Sequence, residues 1–420
     1  MKSFTNAHSH IFTVNHAPDY FLKTAVNNTL VAKLLERWVQ KKSTRVLFNV
    51  THWVFSKILY PNKRDVVERY IEFVKIGSAA TQRDVYDQLA KTYVKFGQYK
   101  IIVLTQVLDY LDVESTSNHI RIQTQVEQVA ELKRNALYQN HICPFLGLDA
   151  RQTGINLNKD WVEKFISKEY GFYGIKIYPA AGFFPFDECL DPVWKWAEAN
   201  NVPVMTHCTR SGSFYLGRIE SIINGGGFQV RSLNPTSPYM ASITERISNV
   251  MNDTSIRKKN KIWCNVFGHP DNYRPILEKY PKLKICLAHL GGATEINRVG
   301  KPSSSFPSYL QDNWYEAVIQ LMKDYENVYA DISYTLADKE ALEKIVAYFR
   351  SADAVDKNGK PLINKLMYGT DFYLTQQEPK GDEPDLQTIF LNAFNTQEIN
   401  TMAYENTNAY LTSAIHNENT

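Results

Sequence analysis

Short, nearly continuous apolar runs alternate with longer segments of helical periodicity over most of the chain. Residues 100–105 are typical of the first kind, and such a run indicates a buried strand. Residues 124–139 are typical of the second kind, with apolar positions at helical spacing. The apolar runs predict eight strands, at residues 4–10, 100–105, 142–149, 174–178, 202–207, 283–288, 327–332 and 365–370. Because strands that alternate with helices form a parallel sheet, the pattern predicts an α/β protein with a closed (β/α)8 TIM barrel.

Two long segments interrupt this alternation, and we interpret both as insertions in a single domain that spans residues 1–420. The first, about residues 12–99 after strand 1, is predicted to be mainly helical and to cover the mouth of the barrel. The second, about residues 208–262 after strand 5, is rich in Gly, Ser and Asn and is predicted to be loop-rich. Apolar spacing predicts helices at residues 30–39, 64–76, 83–96, 124–139, 159–170, 192–200, 273–280, 314–325, 339–350 and 398–412.

Composition excludes several classes of protein. The 47 basic and 44 acidic residues nearly cancel, which gives no reason to expect nucleic acid or a membrane surface as partner. The five cysteines lie far apart without a Cys-x-x-Cys pair, which argues against a disulfide framework and a thiolate zinc site. The first strand leaves no room for a signal peptide, and no apolar stretch could span a bilayer. We therefore expect a cytoplasmic protein that acts on a small molecule, and leave open whether it forms a homodimer.

Candidate metal ligands fall at the ends of the predicted strands. His8 and His10 lie two apart on the first strand, so their imidazoles project from the same face. His207 ends the fifth strand, His289 follows the sixth and Asp371 follows the eighth. In a (β/α)8 barrel the C-terminal ends of the strands surround one mouth, where active sites lie. The sequence therefore predicts that these five side chains meet there.

Three histidines and a carboxylate can hold one Zn²⁺ and leave positions open for water and substrate. Such an ion lowers the pKa of its bound water toward about 7, and a neighbouring carboxylate can take the proton. We expect Asp371 to do this as well as to bind the metal. His289 is either a further ligand or an acid/base beside the metal; a core histidine before the Gly-Gly turn is the alternative. Mn, Fe or Co could replace Zn in such a site.

Lys176, inside the apolar fourth strand, has three interpretations. It could be carboxylated and bridge two metal ions, pair as an ammonium with a substrate carboxylate, or pair with an acid inside the barrel. Tyr178 lies two residues after Lys176, so its side chain is expected on the same face, toward the mouth of the barrel. Arg210, three residues past His207, is placed to receive an anionic group, and His269 either lines the pocket or serves a turn.

The seventh strand ends at Asp331, where acidic residues commonly make structural hydrogen bonds. We therefore do not expect Asp331 to be a metal ligand. His16 and His52 lie in the first insertion and are predicted to be ordinary loop or surface histidines.

The order of these candidate residues along the chain resembles that of the amidohydrolase superfamily of metal-dependent barrels. The local sequences are most similar to its amidohydrolase-related branch of hydrolases and decarboxylases. The resemblance rests on residues 174–179, 202–207, 281–292, 327–333, 368–371 and 405–409 beside the histidine pair. It implies one metal ion held by His8, His10, His207 and Asp371, with His289 as acid/base. With a carboxylated Lys176, it implies two ions and His289 as a ligand of the second. Asn6 departs from the Asp that relatives often carry, which puts one supporting hydrogen bond in doubt.

We therefore expect a metal-dependent hydrolase in which activated water attacks an amide, lactone or ester carbonyl of a small, anionic substrate. The alternative is a metal-dependent non-oxidative decarboxylase of a small carboxylic acid, because the branch contains both activities and the fold does not choose between them. A non-catalytic ligand-binding barrel is a third hypothesis, which the complete ligand set disfavours.

Overall fold

The computed structural model describes residues 3–17, 72–108, 110, 116–151, 159–210, 212–217, 219, 231–302 and 306–416. Eight strands of one sheet follow each other in chain order, and every neighbouring pair is parallel. The strands are β1 Phe4–Ser9, β2 Tyr99–Leu104, β3 Ile142–Leu148, β4 Gly174–Ile177, β5 Val204–Thr209, β6 Ile285–Gly291, β7 Val328–Asp331 and β8 Leu366–Met367. All eight predicted strands are confirmed, and so is the α/β barrel.

The barrel closes between its first strand and the segment that follows its last. The Ala7 amide donates to the Tyr368 carbonyl at 2.8 Å, and Ser9 forms a parallel bridge with Phe372. The predicted strand at 365–370 is observed only over Leu366–Met367. The backbone beyond β8 still pairs with β1, and it leaves the extended conformation at Asp371, where φ is 62°.

Helices surround the sheet and mostly match the predicted periodicity. They are α1 Gln82–Tyr93, α2 Thr116–Arg134, α3 Lys159–Phe165, α4 Asp191–Ala199, α5 Met240–Asn252, α6 Asn260–Phe267, α7 Arg274–Lys279, α8 Ala293–Asn297, α9 Trp314–Asp324, α10 Lys339–Phe349, α11 Glu383–Ala393, α12 Thr396–Asn400 and α13 Asn406–Leu411. A π-helical turn over Thr401–Glu405 joins the last two, within the predicted helix 398–412. Short 3₁₀ turns lie at Val14–His16, Val94–Phe96, Pro179–Ala181, Glu188–Leu190, Pro270–Tyr273, Ser308–Leu310, Thr335–Ala337, Leu362–Lys365 and Leu374–Gln377.

The two predicted insertions are described in part. The predicted helix 30–39, His52 and most of the predicted helix 64–76 lie outside the described residues, although residues 72–77 are helical. In the second insertion the loop-rich prediction misses α5, whose buried Met240, Ile243, Ile247 and Val250 form one helical face. The prediction rested on the Gly, Ser and Asn content of the whole segment, and this average conceals the helical spacing of the four apolar residues.

The barrel interior is filled by small and medium side chains from the strands, together with Tyr410 and Leu411 of α13. The Tyr410 ring lies 6.0 Å from that of Phe145 and 5.2 Å from that of Tyr329. The last helix therefore fills one end of the barrel, and the strand ends that carry the candidate ligands lie at the other. Among the described residues, no helix combines the length and apolarity that a membrane-spanning segment requires.

Candidate metal centre

His8, His10 and Asp371 come together at the seam between the first and last strands. The Nε2 atoms of His8 and His10 lie 3.4 Å and 3.3 Å from Asp371 Oδ1. The two imidazoles share one face of β1 because they are two residues apart on a strand. The seam itself positions Asp371, since its amide donates to the His8 carbonyl at 2.9 Å.

His207 and His289 lie next to this group. Nε2 of His289 is 3.1 Å from Nδ1 of His207, and its ring centroid is 4.8 Å from that of His8. His289 has a φ of 66°, so the chain turns at the end of β6 and its ring points back toward β1. Short contacts thus connect all five predicted side chains, from Asp371 through His8 and His10 to His289 and then His207.

This arrangement fits a divalent metal ion. One nitrogen each from His8 and His10 and one oxygen from Asp371 lie within 4.8 Å of one another. Within the described part of the chain, His8 Nε2 and Asp371 Oδ1 are both buried and make no hydrogen bond. Buried polar atoms without partners are costly, and two that face each other across 3.4 Å are suited to bind one cation. The nitrogen and oxygen donor set suits zinc and neighbouring transition metals.

Burial also sets the protonation of these groups. It lowers the pKa of His8 and of His289 well below that of ordinary imidazole, and neighbouring positive groups add to the shift. Both rings are therefore neutral at pH 7, the form that offers a lone pair. Burial raises the pKa of Asp371, while His10 and Lys176 oppose the shift. A divalent ion beside Oδ1 would favour the carboxylate further.

Lys176 is buried inside the barrel on β4, in register with Gly147 and Met205. Burial lowers the pKa of its ammonium to about 8, while Asp371 and Asp331 act in the opposite direction. The charges of these carboxylates act on the ammonium in the direction that pairing with an acid inside the barrel requires. The lowered pKa also increases the neutral fraction that could react with CO₂, so carboxylation of Lys176 stays a prediction.

Tyr178 packs on the predicted ligand His207. The two rings are stacked at 4.4 Å, and the Tyr178 hydroxyl donates to the Ser213 carbonyl at 2.8 Å. Gly212 lies against both, with a φ of 101°, and a Cβ there would come within 2.8 Å of the Tyr178 hydroxyl. The loop after β5 therefore requires glycine at this position.

Arg210 and His269 are engaged with protein groups. The Arg210 guanidinium lies 4.9 Å from the rings of both Phe306 and Trp314, and it donates to the Asp312 carbonyl at 2.7 Å. His269 pairs through Nε2 with the Asp312 carboxylate. Its Nδ1 accepts the Asp271 amide and caps the turn that follows, which agrees with the turn role. Substrate binding by either residue stays a prediction.

Sequence reasoning missed Ser333 and foresaw only part of the role of Asp331. Asp331 Oδ2 is 3.1 Å from His8 Nδ1, which confirms the expected structural hydrogen bonding. Ser333, two residues later, contacts both His8 and His289 through Oγ. The sequence feature that could have identified Ser333 is its position at the end of a strand, two residues after Asp331.

Asn6, which stands where relatives often carry Asp, hydrogen-bonds to both sides of the seam. Its side-chain oxygen accepts the amides of His8 at 3.1 Å and Thr370 at 3.2 Å, and its nitrogen donates to Thr370 Oγ1 at 2.8 Å. The amide thus links β1 to the segment after β8 beside the metal ligands. His16 bonds Thr13 and Gln128 and is not part of the site.

Comparison with known proteins identifies the family of the chain. The sequence model of the amidohydrolase family matches residues 130–409, a range that contains Lys176, His207, His289 and Asp371. No curated protein matches the chain.

Several solved structures are similar to this one. The 5-carboxyvanillate decarboxylase of Novosphingobium aromaticivorans, solved with manganese and 4-hydroxy-3-methoxy-5-nitrobenzoic acid, is 13% identical, with a TM-score of 0.50 over 98% of this chain and 96% of that one. The manganese-bound dihydroxybenzoic acid decarboxylase of Polaromonas sp. JS666 is 13% identical, with a TM-score of 0.49 over 98% and 97% of the two chains. The 4-oxalomesaconate hydratase of Rhodopseudomonas palustris is 13% identical, with a TM-score of 0.45 over 97% of each chain. At 13% identity, the similarity to the 5-carboxyvanillate decarboxylase shows a shared fold and nothing about function.

Proposed function

The chain belongs to the amidohydrolase family, and from that premise we propose that it is a metal-dependent hydrolase of a small, anionic substrate. In this reaction a water molecule would attack an amide, lactone or ester carbonyl of the substrate, and the metal would supply the Lewis acid that activates it. His8, His10, His207 and Asp371 hold one divalent ion, most simply zinc, with Mn, Fe and Co as alternatives. A second ion requires carboxylation of Lys176 and ligation by His289.

One observation carries the proposal. His8 Nε2 and Asp371 Oδ1 are buried, have no hydrogen-bond partner among the residues that the structure describes, and face each other at 3.4 Å. Two acceptors cannot hydrogen-bond each other, and the low pKa of His8 keeps its ring neutral. A cation between them satisfies both atoms and explains why they are held together without a shared proton.

The metal and the protein side chains have separate roles in this reaction. The bound metal supplies a Lewis acid that lowers the pKa of water toward about 7. Asp371 accepts the proton of that water and returns it to the leaving group. His289 serves as the acid/base: its neutral ring accepts a proton at Nε2, on the side of the site, and returns it from the same atom. Tyr178, stacked on His207, excludes water from that side of the site, and Arg210 and His269 are proposed to line the substrate pocket.

Decarboxylation is the second candidate. The same donors can anchor a carboxylated substrate, and 5-carboxyvanillate decarboxylase has this fold over 98% of the chain. The two activities differ in their product, since hydrolysis releases an acid and decarboxylation releases CO₂. We also propose that residues 1–420 form one catalytic domain, because both the first strand and the segment after the last strand supply ligands.

The test measures turnover of a panel of amides, lactones, esters and aromatic carboxylates by acid release and by CO₂ release, with metal content determined in parallel. In the assay that responds, Asp371→Asn should lower kcat by about 10²–10⁴-fold, because the proton acceptor is lost. CO₂ release without acid release would select the decarboxylase.

Asp149→Asn is the matched control, because Asp149 is also a buried aspartate after a strand, but it pairs with Arg151 at 2.6 Å. Full turnover by Asp371→Asn would contradict the assigned role. A purified protein that neither contains nor binds Zn²⁺ or Mn²⁺ would contradict the metal-dependent function.

A further inference from the structure

Asp331 and Ser333 form a buried hydrogen-bonding pair at the end of β7, here called the β7 pair. Both side chains are inaccessible to solvent. The pair contacts His8 from β1 and His289 from β6 at the same time, so it connects two strands that are far apart in sequence.

The bonds of Asp331 determine where the His8 proton lies. Its Oδ1 accepts the amides of His289 at 3.1 Å and Ser333 at 3.0 Å, and it also accepts the Ser333 hydroxyl. Its Oδ2 lies 3.1 Å from His8 Nδ1. Because Asp331 accepts every other hydrogen bond of this cluster, the geometry makes His8 the donor to Oδ2, with its proton on Nδ1.

Ser333 determines the proton of His289 in the same way. Its hydroxyl hydrogen is given to Asp331, so its Oγ can only accept from His289 Nδ1, at 3.0 Å. The Ser333 carbonyl, an acceptor only, lies 3.1 Å from the same nitrogen. The proton of His289 is therefore also on Nδ1.

The two assignments have one consequence for the site. With Nδ1 protonated, each neutral ring presents an Nε2 lone pair. That of His8 faces Asp371 Oδ1 at 3.4 Å, and that of His289 faces His207 Nδ1 at 3.1 Å.

We propose that Asp331 and Ser333 are positioning residues that hold His8 and His289 in the same Nδ1–H tautomer. The inference rests on the proposed function, in which His8 binds the metal and His289 transfers a proton. The pair thereby prepares a metal ligand and an acid/base with one set of hydrogen bonds. In this role the pair acts through the two imidazoles that it contacts.

Asp331→Asn tests this directly because it reverses one hydrogen bond. The amide oxygen can still accept from the backbone groups, while the amide nitrogen takes the place of Oδ2 and donates to His8 Nδ1. The His8 proton must then move to Nε2, where it replaces the lone pair that a metal needs.

The experiment uses the full chain labelled with ¹⁵N in its histidines and freed of metal. Long-range ¹H–¹⁵N spectra, assigned with His8→Gln and His289→Gln, report the tautomer of each ring. We expect Nδ1–H for both in the wild type, and Nε2–H for His8 in Asp331→Asn. Zn²⁺ affinity, measured by competition with a chelator, should fall by about 10–100-fold in that variant. Ser333→Ala should perturb the His289 signals and leave Zn²⁺ affinity closer to that of the wild type.

Asp149→Asn should change neither the tautomers nor the Zn²⁺ affinity. An Nε2–H tautomer of His8 in the wild type, or unchanged His8 signals and Zn²⁺ affinity in Asp331→Asn, would overturn the proposal. If Asp331→Asn does not fold, unchanged His289 signals in Ser333→Ala would overturn it. Failure of the proposed function is distinguishable, because a wild type that binds no Zn²⁺ still reports its tautomers.

Discussion

Buried histidines differ in whether both ring nitrogens find a partner. His269 has one nitrogen on the Asp312 carboxylate and the other on the Asp271 amide. His16 likewise bonds Thr13 and Gln128. His8 is as deeply buried, yet its Nε2 has no hydrogen bond among the described residues. The unpartnered nitrogen, and not burial or residue type, separates the candidate ligand from the structural histidines.

Glu383 is a buried titratable residue that lies outside the proposed metal site. Its carboxyl group is buried at the start of α11 and accepts the Tyr93 hydroxyl. Burial raises the pKa of this carboxyl from 4.5 to about 7. Between these two pH values the folded protein keeps the proton that the unfolded chain loses. The free energy of unfolding therefore decreases as the pH rises through this window.

Glu383→Gln should remove this pH dependence, because the amide stays neutral. Above pH 7 the variant should be more stable than the wild type by up to about 3 kcal/mol, and the difference should vanish near pH 4. Urea unfolding at several pH values between 4 and 8 measures it. Glu340→Gln is the control, since Glu340 is exposed and pairs with Lys344 at 2.8 Å. A constant difference between Glu383→Gln and wild type at all pH values would contradict the assignment.

The last helix depends on a lysine from another part of the chain. Lys284, just before β6, donates to the carbonyl oxygens of Ala409 at 3.2 Å and Tyr410 at 3.1 Å, and also to that of Thr412. These carbonyls end α13 and have no helical partners, and a positive charge there also complements the helix dipole. The lysine thus holds Tyr410 and Leu411 inside the barrel.

Lys284→Met should destabilise the protein by about 2–3 kcal/mol, because it leaves buried carbonyl groups without a donor. Thermal or urea unfolding gives the magnitude. Lys282→Met is the matched control two residues away, where the residue is exposed, and it should be nearly neutral. Equal stability of the two variants would show that Lys284 does not support α13.

At the scale of the molecule, the proposed metal ion joins the two ends of the barrel. His8 and His10 come from β1 and Asp371 from the segment after β8, so the ligands lie on both sides of the seam where the barrel closes. An ion that binds only the folded state stabilises it, by about 2.7 kcal/mol when its free concentration is 100 times the dissociation constant.

Removal of the metal should therefore lower the unfolding temperature. Calorimetry of wild-type protein with Zn²⁺ and after treatment with a chelator measures the difference. Asp371→Asn should show a much smaller effect of the chelator. The control is His141→Ala, which should behave like the wild type because residue 141 lies just before β3, away from the seam. A chelator effect of wild-type size in Asp371→Asn would place the metal elsewhere.

Sequence alone was enough for the features that depend on local order. Apolar runs predicted all eight strands, because a strand buried on both faces must be apolar throughout. His8, His10, His207, His289 and Asp371 were predicted to meet because a parallel barrel collects the ends of its strands at one mouth. Helix α5 was missed because composition masked its spacing, although that spacing was present in the sequence.

Only the tertiary structure decided which side chains become partners. Arg210 and His269 both meet Asp312, and Ser333 meets His8 and His289, through contacts between residues far apart in the chain. Such pairings depend on distances of a few tenths of an ångström and on burial, neither of which is encoded in periodicity. The sequence determined which residues reach the mouth of the barrel, and the packing of the folded chain decided which of their polar atoms were left without a partner.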